Sequence, residues 1–245
     1  MIGQPALASP VLAEYSPGPC PSDMGEYYRA ILRSLHWPMA AEEAEGMEAG
    51  NGNGVTAAIR TLGVTSCARG EGVSTVAAHL AAAAAGMVTG NVLLVDANMA
   101  HPVVHNLFDV DAGPGLAEAT VNAKTLEAYV QPSGCQNLEL LTAGEPNGKP
   151  RTTALDSAGV EAVLAAVGQA YQLVVFDMPP ASGQSATLRL ASMLDAVIIV
   201  VEAERISCDV ARRAKELLQR AGARVRGAVL NKRRDYVPRW LYGRL

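Results

Sequence analysis

The chain has 245 residues, 49% of them hydrophobic and 18% charged, a balance that excludes a disordered protein and allows one large α/β domain with a buried core. A formal net charge of −4 gives no global attraction for nucleic acid, and an aromatic content of 4% leaves Ala, Val and Leu to pack the interior. Four scattered cysteines (Cys20, Cys67, Cys135, Cys208) show no paired metal spacing and fit a reduced, cytosolic chain rather than a disulfide framework.

Residues 1–23 hold five prolines (Pro5, Pro10, Pro17, Pro19, Pro21) among small residues and read as a loose arm. No basic segment followed by an apolar core opens the chain, so no secretory signal is expected. Residues 25–36 read as a short helix stopped by Trp37-Pro38, and 41–54 turn acidic and then glycine-rich, the composition of a linker. The expected division is therefore an arm, helix and linker over 1–54, a main domain over 55–232, and a basic, aromatic tail over 233–245. Within the main domain, strand-length apolar runs at 59–65, 91–96, 138–142, 172–177, 195–201 and 225–230 alternate with helical patterns at 74–88, 115–129, 156–170, 184–193 and 207–221. Continuously apolar strands such as Val-Leu-Leu-Val at 92–95 are buried on both faces. The pattern predicts a doubly wound, mainly parallel α/β sheet covered by helices on each side. The apolar run 79–88 is too short to cross a bilayer.

Three segments fall at the carboxyl ends of predicted strands, where such sheets bind ligands. The first is Cys67-Ala68-Arg69-Gly70-Glu71-Gly72-Val73-Ser74-Thr75, a glycine-rich loop between a strand and a helix. Its amides would offer donors to phosphate oxygens at a helix N-terminus, and Ser74 and Thr75 stand where a hydroxyl meets magnesium. Val73 occupies the place of the usual lysine and cannot neutralise charge between the outer phosphates. The second segment ends in Asp96 and the third in Asp177. A phosphate loop followed by strand-end carboxylates is the arrangement that holds a magnesium nucleotide, ATP or ADP, with Ser74, Asp96 and Asp177 as the metal set.

On these motifs the chain resembles the bacterial tyrosine kinases (BY-kinases) of exopolysaccharide synthesis, relatives of the MinD/ParA ATPases with a P-loop NTPase fold. Gly70-Glu71-Gly72 and Ser74-Thr75 match the family loop, and Asp96-Ala97-Asn98-Met99-Ala100-His101-Pro102 with His105 and Phe108 resembles its second motif. Asp177-Met178-Pro179-Pro180 matches the third, and Leu230-Asn231-Lys232 the strand end that approaches adenine in relatives. The resemblance implies catalytic or metal roles for Asp96 and Asp177 and nucleotide contacts from Arg69, Gly70, Glu71, Gly72, Val73, Ser74, Thr75 and Asn231. It also implies a membrane chain-length determinant (a polysaccharide co-polymerase) as partner, and a cytoplasmic site of action at the inner face of the membrane.

The departures concentrate in the same unit. Val73 replaces Lys, Asn98 replaces a second Asp, and Ala100 stands at an Arg position. Two readings follow: a degenerate member acting as regulator or scaffold with weak nucleotide binding, or a working kinase or ATPase in which Arg69 or Arg151 supplies the cation. A MinD/ParA-type switch is a third, against which Ala68 stands at the position of that group's early lysine. Glu26 and Arg29 match the start of the family's oligomer-forming Glu-x-x-Arg-x-x-Arg helix, but Leu32 stands at the second Arg and Arg33 is turned about 100° away. Two readings stand for that helix, a homo-oligomer contact and a solvated surface. The tail holds only Tyr236 and Tyr242 where relatives carry a tyrosine cluster, and its cations and Trp240 suit an anionic membrane surface or a solvated tail. His101 and His105 are four apart with no third metal ligand in view.

Overall fold

A computed structural model describes residues 22–35, 37, 59–145, 158–182 and 185–233. The arm before residue 22, the linker at 41–54, Arg151 and the tail beyond 233 lie outside the described residues.

Seven strands form one sheet in the order β3-β4-β2-β5-β1-β6-β7. They are β1 (Thr61–Ser66), β2 (Val92–Asp96), β3 (Gln131–Pro132), β4 (Leu138–Leu141), β5 (Leu173–Asp177), β6 (Ala196–Glu202) and β7 (Val225–Asn231). All pairings are parallel except β3 with β4. β1, β2 and β5 are buried along their whole length, as continuous apolar runs require when both faces are covered.

Alternation along each strand sends side chains to two separate apolar layers. Leu93, Val95, Val174 and Phe176 join one layer with α5 (Gly159–Ala170), α6 (Ser185–Met193) and α7 (Cys208–Arg220). Val92, Leu94, Val175 and Ile198 join the other with α1 (Ser22–Ser34) and α2 (Val73–Ala85). The alanine-rich α2 lies close on the sheet, burying Ala77, Ala78, Ala81, Ala84 and Ala85. α1 packs on α2 through Tyr28, whose ring stacks on buried His79 at 4.9 Å and 17°. No helix among the described residues is long and apolar enough to cross a membrane.

The sequence pattern differs from the fold in three places. The expected helix at 115–129 is two pieces, α4 (Leu116–Ala119) and a 3-10 segment (Ala123–Tyr129). A short helix, α3 (Val104–Phe108), and the two-residue β3 were not expected. β3 pairs antiparallel and contains Pro132, so it carries no alternation a sequence pattern could register.

Candidate nucleotide site

β1 lies between β5 and β6, and the chain leaves it to build β2 on the far side of β5, so the sheet reverses direction of growth here. Ligands bind at such a reversal, outside the carboxyl ends of the strands. The loop 67–72 emerges from β1 at this point and runs into α2. Gly70 and Gly72 take left-handed backbone angles (φ +83° and +89°), which L side chains rarely adopt. Gly72 has a second reason to be glycine: a Cβ there would collide with Asn231 Nδ2.

The outward side of the loop is held by side chains from β6, β7 and the turn that follows β6. Three successive carbonyls are each taken. Arg205 donates to the Arg69 carbonyl. Lys232 Nζ donates to that of Gly70 at 2.6 Å, and Asn231 Nδ2 to that of Glu71 at 2.8 Å. Glu202 in turn accepts from Arg205 at 2.5 Å and pairs with Lys232 at 3.3 Å. The fully buried Glu71 carboxylate closes the loop from within, accepting from the Ala68 amide and from the Glu202 amide at 3.0 Å. With carbonyls fixed outward, the amides of residues 70–75 find no acceptor among the described residues. They form a concavity of N–H groups at a helix start, suited to an anion.

The two strand-end carboxylates are neighbours in register, Asp96 opposite Asp177 on adjacent strands, and both are fully buried. Their surroundings differ. Asp96 accepts three backbone amides, from Asn98 at 3.1 Å, Val103 at 2.9 Å and Val104 at 3.0 Å. It thereby shapes the loop 97–103 and starts α3. Asp177 accepts no hydrogen bond on either oxygen among the described residues. Burial, and next the Asp96 charge, hold its carboxyl well above the usual aspartate range. The Ser74 side chain lies near enough to favour the ionised form, but without completing a hydrogen bond. An orphaned buried carboxylate beside a loop hydroxyl and a second carboxylate fits a divalent cation, whose charge would relieve both the burial and the repulsion.

The structure thus brings together Gly70, Glu71, Gly72, Ser74, Asp96, Asp177 and Asn231, with Val73 and Thr75 in the first turn of α2. Arg69 is exposed on the loop, and it is held there through its carbonyl rather than its guanidinium. Glu71 is a loop brace, with both carboxylate oxygens on backbone amides. Cys67 is buried beside it, its thiol pushed up to about 11 by burial and by Glu71, which leaves it a packing residue. Glu202 and Arg205 carry no mark in the sequence, since their contacts join residues 131 and 136 positions apart.

Comparison with known proteins points to the same fold. Residues 58–238 match the ParA family model described as NUBPL iron-transfer P-loop NTPase. Tyrosine-protein kinase YwqD of Bacillus subtilis is 30% identical over 173 residues, 71% of this chain and 72% of that one. The putative tyrosine-protein kinase CapB of Staphylococcus aureus is 30% identical over 176 residues, 71% of this chain and 75% of its own. The crystal structure of the chimeric protein CapA2B2 superposes with a TM-score of 0.71 at 26% identity, covering 86% of this chain and 85% of that one.

Proposed function

Because the chain belongs to the ParA family of P-loop NTPases and is related to bacterial tyrosine kinases, we propose that it binds a nucleotide's phosphates but has little or no capacity to transfer them. It acts as a cytoplasmic regulatory or scaffold component of exopolysaccharide or capsule synthesis and export, beside a membrane chain-length protein. The observation that carries this reading is a phosphate loop fully braced without its lysine. Its outward carbonyls and its Glu71 brace are satisfied, while Val73 stands where the ammonium would be. Two cations that reach the loop, Arg205 and Lys232, are turned to the outward carbonyls and to Glu202.

The amides of 70–75 bind the phosphates, and Asn231 holds the loop on its outer side. Ser74, Asp177 and Asp96 would hold Mg2+, which supplies charge neutralisation across the phosphate oxygens. A dry site without its ammonium transfers phosphoryl groups more slowly by orders of magnitude, because stabilising charge is most of what such a site contributes. Isothermal calorimetry with ATP and magnesium, beside a labelled-phosphate assay, tests the reading. Robust autophosphorylation that vanishes in Asp96→Ala would overturn it.

Asp177 favours a second reading, an active kinase or ATPase with a non-standard loop. Its carboxylate is buried and unengaged beside Ser74, as a working metal site needs. Val73→Lys separates the two readings. A site already competent gains little from the lysine, whereas a disabled one gains turnover.

A further inference from the structure

The two edges of the sheet are finished differently. At one, β3 is two residues long and ends in Pro132, so it offers almost no free backbone to another strand. At the other, β7 runs for seven residues without proline, and it pairs with β6 alone. Among the described residues no backbone hydrogen bond reaches the outer side of 226–230. Among the described residues an edge about 20 Å long is therefore open.

The register shifts between β6 and β7 at Val197/Ile198, with Val225 opposite Val197 and Gly227 opposite Ile198. Arg226 is the extra residue, a bulge that re-aims its side chain. Beyond the bulge, Ala228 and Leu230 lie opposite Ile199 and Val201, on the face toward α7. Between that face and α7 is a cavity of about 370 Å³ with an apolar floor of Ile199, Val201 and Val225. Arg212, Lys215 and Arg226 line it. Leu230, 55% exposed, extends the apolar strip along the strand.

Charge singles out this edge. Over 209–233 there are six basic residues besides Arg212 and Arg220, which are paired within α7 with the two acids of the segment, Asp209 at 2.8 Å and Glu216 at 4.0 Å. The chain as a whole carries a net charge of −4. Lys215 and Arg226 have no ion-pair or hydrogen-bond partner among the described residues.

We propose that the β7–α7 edge is a docking site for an extended segment of a partner protein whose α7-facing positions, every second residue, are apolar and acidic in turn. The segment adds to β7 as an eighth strand. Its apolar side chains enter the α7 groove and its carboxylates meet Lys215 and Arg226. Main-chain pairing supplies affinity in this mode, and the alternate side chains supply specificity. A second copy of this chain is a poor occupant, since its own β7 holds no acidic residue to meet Lys215 and Arg226. A lipid surface is a poor occupant as well, because it leaves the strand's N–H and C=O groups unpaired.

The test uses the full chain and a fluorescein-labelled octapeptide with threonine at odd positions and valine and glutamate in turn at even ones, so that both share one face, read by fluorescence anisotropy. Two control peptides accompany it, one N-methylated at alternate residues so that it cannot pair, the other with lysine for glutamate. The site predicts saturable binding of the first peptide and at least about tenfold weaker binding of both controls. Lys215→Glu with Arg226→Glu weakens the first peptide at least about tenfold and reverses the preference toward the lysine peptide. Hydrogen exchange adds a readout that charge alone does not move: amides within 225–231 become protected on binding. Thermal melting checks that the double variant is folded, and Ala228→Pro, which removes an outward-facing edge donor without altering charge, serves if it is not. The proposal is overturned if the N-methylated peptide binds equally, or if no peptide binds. It is equally overturned if phosphatidylglycerol vesicles or a second copy occupy Lys215 and Arg226 while the peptide does not.

Discussion

Replacing Asp177 with asparagine should stabilise the folded protein while weakening its hold on a magnesium nucleotide. The carboxylate is fully buried, faces Asp96 across adjacent strands, and has no hydrogen-bond donor on either oxygen among the described residues. An uncompensated buried charge costs several kcal/mol, and an asparagine of equal volume keeps only the smaller cost of burying an amide, so the net gain is about 1–3 kcal/mol. For a chain of this size that raises the melting temperature by about 2–10 °C. The sign with pH follows from the raised carboxyl. Between the ordinary value of 3.8 and its folded value, the folded state keeps a proton that the unfolded chain has released. Stability therefore falls as pH rises through that window, and Asp177→Asn removes this term. Calorimetric melting of both proteins between about pH 4 and pH 8 checks it, the variant's advantage widening with pH. A variant that melts below the wild type at neutral pH, or an advantage independent of pH, would refute the assignment of Asp177 as an uncompensated carboxyl.

Three further outcomes are expected. Glu71→Gln keeps the shape but sets an NH2 group against one of the two amides the carboxylate now accepts, from Ala68 and Glu202. It should cost about 2–4 kcal/mol in denaturant unfolding and speed hydrogen exchange across 68–72. Gly72→Ala combines a φ of +89° with a Cβ driven into Asn231 Nδ2. A loss of about 2 kcal/mol or more, with weaker ADP binding by calorimetry, is the expected result. Burial holds His79 below its ordinary value of 6.5, offset in part by the Thr75 backbone. The unfolded chain then takes up the proton first, so stability falls as pH drops below about 6.5, and His79→Phe, which keeps the stack on Tyr28, should flatten that slope in melts between about pH 7 and 5.

Most of the sheet was legible because its strands are continuous apolar runs and its phosphate loop has a glycine signature. All six strands expected from the pattern are present, with ends shifted by a residue or two. α3 was not legible, because its start is fixed by Asp96, seven and eight residues upstream of the amides it accepts, rather than by a local cap. The helix expected at 115–129 was overextended, since its apolar residues continue through the 3-10 segment after α4. Glycines, hydroxyls and carboxylates of the site could be named from the sequence. Their division of labour could not: Asp96 and Asp177 look alike in the chain, and the fold gives one three amides and the other none. The Glu71 carboxylate braces the loop, a role its place in the motif does not reveal. The outer clamp depends on Glu202 and Arg205, which no local pattern marks.

The claim that this loop holds phosphates without transferring them is tested most directly by a single-turnover experiment with γ-labelled ATP, magnesium and protein in excess. The account predicts label retained with the protein as intact ATP, with Val73→Lys releasing or transferring it. Label appearing on tyrosine or as free phosphate in the unmodified chain, or label not retained at all, would contradict it.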